Sequence, residues 1–232
     1  MKISCLHPTM RTKPGQQFYW ADTMRAWFER CDEPLEVQYC VCIHEFRFGI
    51  TASMPDWGSI SVIVNRGRDV LVDQANTIMP AGFCDIHVPI DDDLFPPEHW
   101  DTLIREAIQD TSVPVVLQCS NCSTRKDIFV PAIRTRALVQ LIGPCSPEYE
   151  HMFVDDEWAV KARRYGTVIE RPDIVFEHKH PVFGTARWDE AYLQANSRTQ
   201  YAKGKEVFDR RQAAGFPRVT GIPGWEDSIA DR

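Results

Sequence analysis

Apolar residues in the first half of the chain recur with two periods, every second position in some segments and every third or fourth in others. Period two is typical of strands and a period of 3.6 is typical of helices. Their alternation predicts an α/β fold, a mostly parallel sheet with helices on both faces. Predicted strands lie at Lys2 to Leu6, Leu35 to Ile43, Ile60 to Val64, Ile86 to Ile90 and Val113 to Gln118, and predicted helices at Trp20 to Cys31, Asp69 to Thr77 and Trp100 to Ile108.

The chain has 232 residues and an apolar content of 44%, which fits one compact domain. We expect residues 1–187 to form its main body, and residues 188–232 to form C-terminal helices and a tail packed on the same domain. Its apolar runs are strand-sized, and its start lacks the pattern of an export signal. We therefore expect a soluble cytoplasmic protein with no membrane partner, whose eight cysteines are reduced.

Three consecutive aspartates, Asp91 to Asp93, follow the predicted strand that ends at Ile90. Like charges this close repel unless a cation compensates them, and carboxylate oxygens are the ligands that Mg²⁺ and Mn²⁺ prefer. The simpler alternative is a solvated acidic turn before a helix, because Pro96 to Glu98 form a strong helix start. The triplet predicts a metal site, with the capping turn as the competing interpretation.

A second group of acids, Asp155 to Glu157, lies at the start of another predicted helix. The helix dipole favours acids there, so capping alone can explain them. Further along, a predicted strand from Asp173 to His180 places His178 and His180 on one face. Two imidazoles on one face are frequent metal ligands, although strand histidines also occur without any such role.

Four segments, taken in order, resemble small glycosyltransferases of the GT-A fold, similar to family-2-like enzymes and especially to compact phage-encoded ones. The usual Asp-x-Asp appears here as an unbroken triplet, and Glu45 stands where aspartate is more common. The segments are Ile3 to Arg11, Asn65 through Asn76 to Asp93, Asp155 to Trp158, and His178 to His180, and they span roughly residues 2 to 190.

The resemblance implies a GT-A-like (Rossmann-like) domain, a nucleotide-diphosphate sugar as donor, and Mn²⁺ or Mg²⁺ as cofactor. Asp91 and Asp93 would hold the cation, and His178 with His180 would complete its coordination. The family places its general base at the start of the acidic helix, which implies Asp155, with Asp156 as the adjacent alternative and inversion as the expected outcome. Donor contacts are expected from His7, Pro8, Thr9, Arg11, Glu45, Asn65, Arg66, Asn76 and Asp92.

Charge is unevenly distributed along the chain, whose net charge is −7. The segment from Trp158 to Arg218 carries twelve Lys and Arg against seven Asp and Glu. Because such a segment suits a polyanion, and small phage enzymes of this kind can modify DNA bases, we expect a hydroxylated base in phage DNA as one acceptor. Its phosphates would meet Arg187, Arg198, Arg210 and Arg211. A saccharide or a small metabolite is the competing acceptor.

Two further hypotheses belong to other classes of protein. Clustered carboxylates also serve metal-dependent phosphohydrolases and nucleotidyltransferases, which use a water or another hydroxyl as the nucleophile. A structural zinc module is the second, since thiolate zinc sites use short spacings. Its ligands would be Cys40, Cys42, Cys119 and Cys122.

Overall fold

The computed structural model describes residues 1–9, 19–45, 59–81, 84–121, 126–222 and 225. Arg11 and Cys122 therefore lie outside the described residues. The strands are β1 (Ile3–Pro8), β2 (Val37–His44), β3 (Ser59–Asn65), β4 (Ile86–Pro89), β5 (Leu94–Phe95), β6 (Val115–Ser120), β7 (Ile133–Thr135), β8 (Thr167–Val175) and β9 (Glu177–His178). The helices are α1 (Tyr19–Glu29), α2 (Leu71–Ile78), α3 (Trp100–Ala107), α4 (Arg136–Ile142), α5 (Val154–Tyr165), α6 (Glu190–Ala195) and α7 (Arg198–Ala213).

Seven strands form one sheet in the order β3-β2-β1-β4-β7-β6-β8. Every neighbouring pair is parallel except those made by β7, which is antiparallel to both β4 and β6. Six strands consequently point the same way, and the prediction of a mostly parallel α/β sheet is confirmed. The strands β5 and β9 form a separate antiparallel pair.

Helices cover both faces of the sheet, as its apolar strands require. On one face, Trp27 of α1 and Trp100 of α3 pack with their ring centroids 4.8 Å apart in the largest apolar cluster. On the other face, Ile78 of α2, Val139 of α4 and Trp158 of α5 pack against the opposite sides of the strands. The result is a three-layer α/β/α sandwich.

Local hydrogen bonds set the starts of the later helices. The side chain of Thr135 accepts from the backbone N–H of Leu138 and begins α4, and Asp189 accepts from the N–H of Tyr192 and begins α6. Ser197 accepts from the N–H of Gln200 and begins α7. Such caps satisfy donors that the first helical turn leaves unpaired. The cap at Ser197 separates α6 from α7.

Two other predictions are corrected by the sheet. The strand expected from Asp173 to His180 is divided between β8 and β9, so His178 and His180 do not share a strand. Cys40 and Cys42 lie on one face of the sheet, whereas Cys119 packs against the cluster on the other face. Because β2 and β6 are also four strand spacings apart, about 19 Å, the cysteines cannot form the proposed zinc module. Within the described ranges, no helix is long and apolar enough to cross a membrane.

Candidate active site

Polar side chains gather where the parallel strands β1 to β4 end. His7 and Pro8 close β1, His44 closes β2, Asn65 closes β3, and the aspartates follow β4. In open α/β sheets, ligands bind outside these carboxyl ends. The edge therefore gives the candidate site its location, and the side chains there define its chemistry.

His7 forms the floor of this edge between β1 and the aspartates. Its side chain is fully buried, and its Nε2 lies 3.0 Å from Oδ1 of Asp92 while its Nδ1 lies 2.6 Å from the hydroxyl of Tyr39. With Nε2–H donating to the carboxylate, the tyrosine hydroxyl can donate to Nδ1 of the neutral ring. Thr23 of α1 donates to the backbone carbonyl of Asp92 at 2.5 Å. Asp92 is thus fixed by contacts from two elements.

Asp93 is the most deeply buried of the three aspartates and is 8% exposed. The Tyr192 hydroxyl donates to its Oδ2 at 2.5 Å, and His178 Nε2 lies 3.3 Å from its Oδ1. Burial alone would raise the pKa of Asp93, but the hydrogen bonds from His178 and Tyr192 outweigh burial and lower it. Burial would lower the pKa of His178, and Asp93 reverses that effect and raises it. The lowered pKa of Asp93 and the raised pKa of His178 both favour the charged forms of the pair.

Asp91 retains exposed surface, in contrast to Asp93. The protein packed around its carboxyl group nevertheless withdraws water, and together with the charge of Asp93 this raises the pKa of Asp91 to about 6. The carboxyl group is still mainly ionised at neutral pH. Two neighbouring carboxylates that repel each other in this way attract a cation.

The donors at this edge suit a divalent cation, because Asp91 and Asp93 offer carboxylate oxygens and His178 offers an imidazole. His178 Nδ1 is buried, and no hydrogen-bond partner for it appears in the described structure. Within the described ranges, however, no three such groups already converge on one point. Both oxygens of Asp93 are engaged by Tyr192 and His178, so the residues fit a cation once the Asp93–His178 contact is exchanged for it.

His180 stands beside this group rather than in it. Its ring centroid is 5.3 Å from that of His178, but its Nδ1 accepts from the N–H of Val182 and begins a 3₁₀ turn at Pro181–Phe183. His151 was missed from the sequence, since it belongs to no periodic pattern. Burial and the nearby charge of His180 lower the pKa of His151. A neutral imidazole is thereby added near the histidine pair.

The expected donor contacts differ in how far their side chains are already engaged. Asn65 donates to the carbonyl of Arg68 and accepts from the N–H of Gly67, which shapes the turn after β3. Asn76 bonds both the carbonyl and the N–H of Cys145 at 2.9 Å. These amides have structural roles, and their contact with a donor remains a prediction.

Three other expected donor contacts occupy different settings. Glu45 and Arg66 are exposed at the edge itself, where a ligand can reach them. Thr9 is fully buried, and its N–H donates to the carbonyl of Cys42 at 3.0 Å. Backbone pairing therefore fixes the chain just after β1, and direct contact between Thr9 and a donor remains a prediction.

The first turn of α5 separates its three acids by exposure. Asp155 is exposed, Asp156 is half-buried and Glu157 is 3% exposed. Glu157 accepts bonds from both Nε and Nη2 of Arg211, at 2.7 and 2.9 Å, and lies 2.6 Å from Nζ of Lys161. Burial would raise the pKa of Glu157, but Arg211 and Lys161 outweigh burial and lower it. Glu157 therefore anchors α5 to α7, and Asp155 is left facing solvent.

Two of the four cations expected to contact phosphates, Arg210 and Arg211, are paired with carboxylates of the protein. Arg211 is 7% exposed and bound to Glu157 and Glu148, and Arg210 lies 2.6 Å from Glu148. Of the twelve cations between Trp158 and Arg218, seven form ion pairs with carboxylates of the described residues: Lys161, Arg171, Lys179, Lys203, Lys205, Arg210 and Arg211. The expectation that Arg211 meets a ligand phosphate is wrong, because its guanidinium is buried in this network.

Sequence comparison finds no matching protein family and no matching curated protein. Among solved structures, residues 1–349 of S. aureus TarS match with a TM-score of 0.62 at 14% identity, over 98% of this chain and 79% of that one. The mannosyltransferase PcManGT from Pyrobaculum calidifontis, in complex with GDP-Man and Mn²⁺, matches with a TM-score of 0.58 at 16% identity, over 96% and 77%. The fold is GT-A-like.

A longer TarS structure matches over 86% of this chain, with a TM-score of 0.60 at 14% identity, and the chain spans only 44% of its length. TarS 1–349 has also been solved in complex with UDP. At these identities the likeness establishes the architecture of the GT-A-like chain. The donor, the cation and the acceptor have to be inferred from the side chains at the site.

Proposed function

We propose that the protein is a metal-dependent glycosyltransferase that moves a sugar from a nucleotide-diphosphate donor to an acceptor hydroxyl. The observation that carries the proposal is the contact of Asp93 with His178, with Asp91 two positions before Asp93 in the sequence, at the carboxyl edge of a GT-A-like sheet. Two solved neighbours of the same fold were studied with GDP-Man and Mn²⁺ or with UDP, which supports a nucleotide-sugar donor here.

Asp91 and Asp93 would hold Mn²⁺ or Mg²⁺, and His178 would add an imidazole ligand as its contact with Asp93 is exchanged. His180 is a weaker candidate, because its Nδ1 already caps the following turn. A bound cation supplies charge stabilisation to the departing nucleoside diphosphate. Asp92 would face the donor while His7 keeps its carboxylate in place at 3.0 Å.

We assign the donor contacts to residues at, or just after, the ends of β1, β2 and β3. His7, Pro8, Thr9, Arg11 and Glu45 would meet the base and the ribose. Asn65, Arg66 and Asn76 would lie near the ribose, the phosphates or the sugar. Exposed side chains such as Glu45 and Arg66 are free to move onto a ligand, whereas the two amides would act through the turns that they shape.

Asp155 is our candidate for the general base, with Asp156 as the alternative. A base must accept a proton from the acceptor hydroxyl as the new glycosidic bond forms, and so it needs access to solvent and substrate. The exposure of Asp155 supports this role, and burial of Glu157 in an ion-pair network removes the third acid from consideration. Displacement assisted by a single base would invert the anomeric centre.

Two kinds of acceptor are considered, a hydroxylated base in phage DNA and a saccharide or small metabolite. A hydroxylated base in phage DNA was expected from the basic segment, and three of the four cations named for it are exposed, Arg187, Arg198 and Arg210, of which Arg210 is paired with Glu148. Internal ion pairing of Arg210 and Arg211 favours an uncharged acceptor, such as a saccharide, over a polyanion. Salt dependence separates the two, since binding through phosphate contacts weakens steeply with salt.

The test is a screen of sugar nucleotides for thermal stabilisation and turnover, with and without Mn²⁺. A ligand that binds only the folded state raises the apparent stability. We expect one class of sugar nucleotide to stabilise the protein in the presence of Mn²⁺, and Asp93→Asn to abolish that effect. Asp209→Asn, an exposed acid paired with Lys205 on α7, is the matched control.

Two results would contradict the proposal. If the sugar nucleotide with Mn²⁺ stabilises Asp93→Asn and the unaltered protein equally, the metal site does not lie at this edge of the sheet. Cleavage of the donor at its pyrophosphate, with no sugar transferred to an acceptor, would instead indicate the alternative function, a metal-dependent phosphohydrolase or nucleotidyltransferase.

A further inference from the structure

Tyr192 reaches into the candidate metal site from the C-terminal segment. Its hydroxyl lies 2.5 Å from Oδ2 of Asp93 and 3.2 Å from the carbonyl oxygen of Lys179, and the residue is 7% exposed. Tyr192 and Asp93 are 99 positions apart in the sequence. No sequence pattern connects the two residues, and the fold alone brings them together.

The position of this hydroxyl is fixed by both backbone and ring. The N–H of Tyr192 donates to the side chain of Asp189 at 2.9 Å, at the start of α6. Its ring packs edge-on against His180, with centroids 4.8 Å apart, and against Trp188 at 6.3 Å. Because the backbone and the ring of Tyr192 are both held, its hydroxyl cannot follow a rotation of the Asp93 carboxylate. The hydrogen bond to this hydroxyl therefore restricts that rotation.

We infer that Tyr192 is a positioning residue, which fixes the Asp93 carboxylate so that Oδ1 is presented to a divalent cation. The inference rests on the proposed function, because it assumes that Asp93 is a metal ligand. One oxygen of the carboxylate is committed to Tyr192, and the other lies 3.3 Å from His178 Nε2. Hydrogen bonds of this kind orient metal ligands, and their removal typically weakens metal binding about 10- to 100-fold.

The test is Tyr192→Phe, which keeps the ring between His180 and Trp188 and removes only the hydroxyl. Binding of Mn²⁺ alone is measured from the electron paramagnetic resonance signal of the free ion, without any sugar nucleotide. We expect the Kd for Mn²⁺ to rise about 10-fold or more in this variant. Tyr201→Phe, which removes a hydroxyl from an exposed tyrosine packed on Phe153, is expected to leave the Kd unchanged.

Thermal unfolding without metal shows whether a weaker Kd reflects positioning or loss of fold. Should Tyr192→Phe not fold, Asp189→Ala tests the same contact by loosening the backbone that carries Tyr192, and it should also raise the Kd. An unchanged or lower Kd in the folded variant overturns the inference and leaves the metal site standing. Absence of Mn²⁺ binding by the unaltered protein overturns both the inference and the metal part of the proposed function.

Discussion

The ion-pair network between α5 and α7 offers the sharpest test of how the C-terminal helix is held. Arg211 makes two bonds to Glu157, at 2.7 and 2.9 Å, one to Glu148 at 3.0 Å and one to the carbonyl of Pro217 at 3.0 Å. The substitution Arg211→Met keeps an unbranched apolar stem of similar reach and removes the guanidinium. Glu157 then remains buried, with Tyr149 and Lys161 as its contacts.

Removal of one partner from a buried ion pair costs about 3–5 kcal/mol, because the remaining charge is left without compensation in a poorly solvated place. Lys161 lies 2.6 Å from the Glu157 carboxylate and still offsets part of its charge. We therefore expect a loss near the lower end of that range, about 3 kcal/mol. In a domain of this length, such a loss lowers the Tm by roughly 6–12 °C.

The measurement is urea-induced unfolding with linear extrapolation to zero denaturant. Arg210→Met is the matched control, since Arg210 is its neighbour on α7 but is exposed and makes a surface pair with Glu148, worth about 0–1 kcal/mol. Arg211→Lys should fall between the two, because lysine keeps the charge and loses the two-bond geometry. If Arg211→Met and Arg210→Met are equally stable, the network does not hold the two helices together and the reasoning fails.

Three further outcomes are expected. The Asp155→Asn variant should lower sugar transfer roughly 100-fold with little change in donor affinity, while Asp156→Asn retains transfer. The reverse result would make Asp156 the general base. Full transfer by both variants would exclude both residues as the base. Folding lowers the pKa of Glu157, so the stability that its ion-pair network contributes is complete above about pH 4.5, the pKa of the unfolded chain. That stability is lost as the pH falls through the pKa of the folded protein. The unfolding free energy, measured from pH 6 to pH 3, should therefore fall less steeply in Arg211→Met than in the unaltered protein. The Gly204→Ala variant should lose about 1–3 kcal/mol of unfolding free energy in urea, because the added Cβ would lie 2.5 Å from the carbonyl oxygen of Met152. A gain in stability, which is the usual effect of this substitution in an open helix, would show that the backbone moves to make room for the Cβ.

Five strands of the sheet were predictable from the spacing of their apolar residues. Apolar side chains of β1, β2, β4 and β6 are buried, and those of β3 pack partly buried against the same core. β7 was not predicted, because it has only three residues and its central residue is the charged Arg134, which is 5% exposed. The guanidinium of Arg134 stacks 4.3 Å from the ring of Trp158, and burial lowers its pKa to about 10. A charged residue at the centre of a sheet contradicts the pattern used to find strands.

The candidate site divides in the same way. The aspartates at the end of β4 were found because three adjacent charges are conspicuous in any sequence. Tyr192 and Arg211 were not recognised as partners of Asp93 and Glu157, because each pair is joined only by the packing of distant elements. An arginine in a hydrophilic helix is normally solvated, so Arg211 was assigned to a ligand. Only the folded chain reveals that its partner is internal.

The short pairing of β5 with β9 also determines when the site can exist. Leu94 lies opposite His178 and Phe95 opposite Glu177, and the N–H of Lys179 donates to the carbonyl of Asp93 at 2.8 Å. A chain emerging from the ribosome carries its aspartates long before the strand that completes their surroundings. Closing so large a loop belongs to the late steps of folding, because its entropic cost precedes its contacts. An unfinished chain therefore holds the acids without the candidate site, and under the proposed function cation binding would report on completion of the fold.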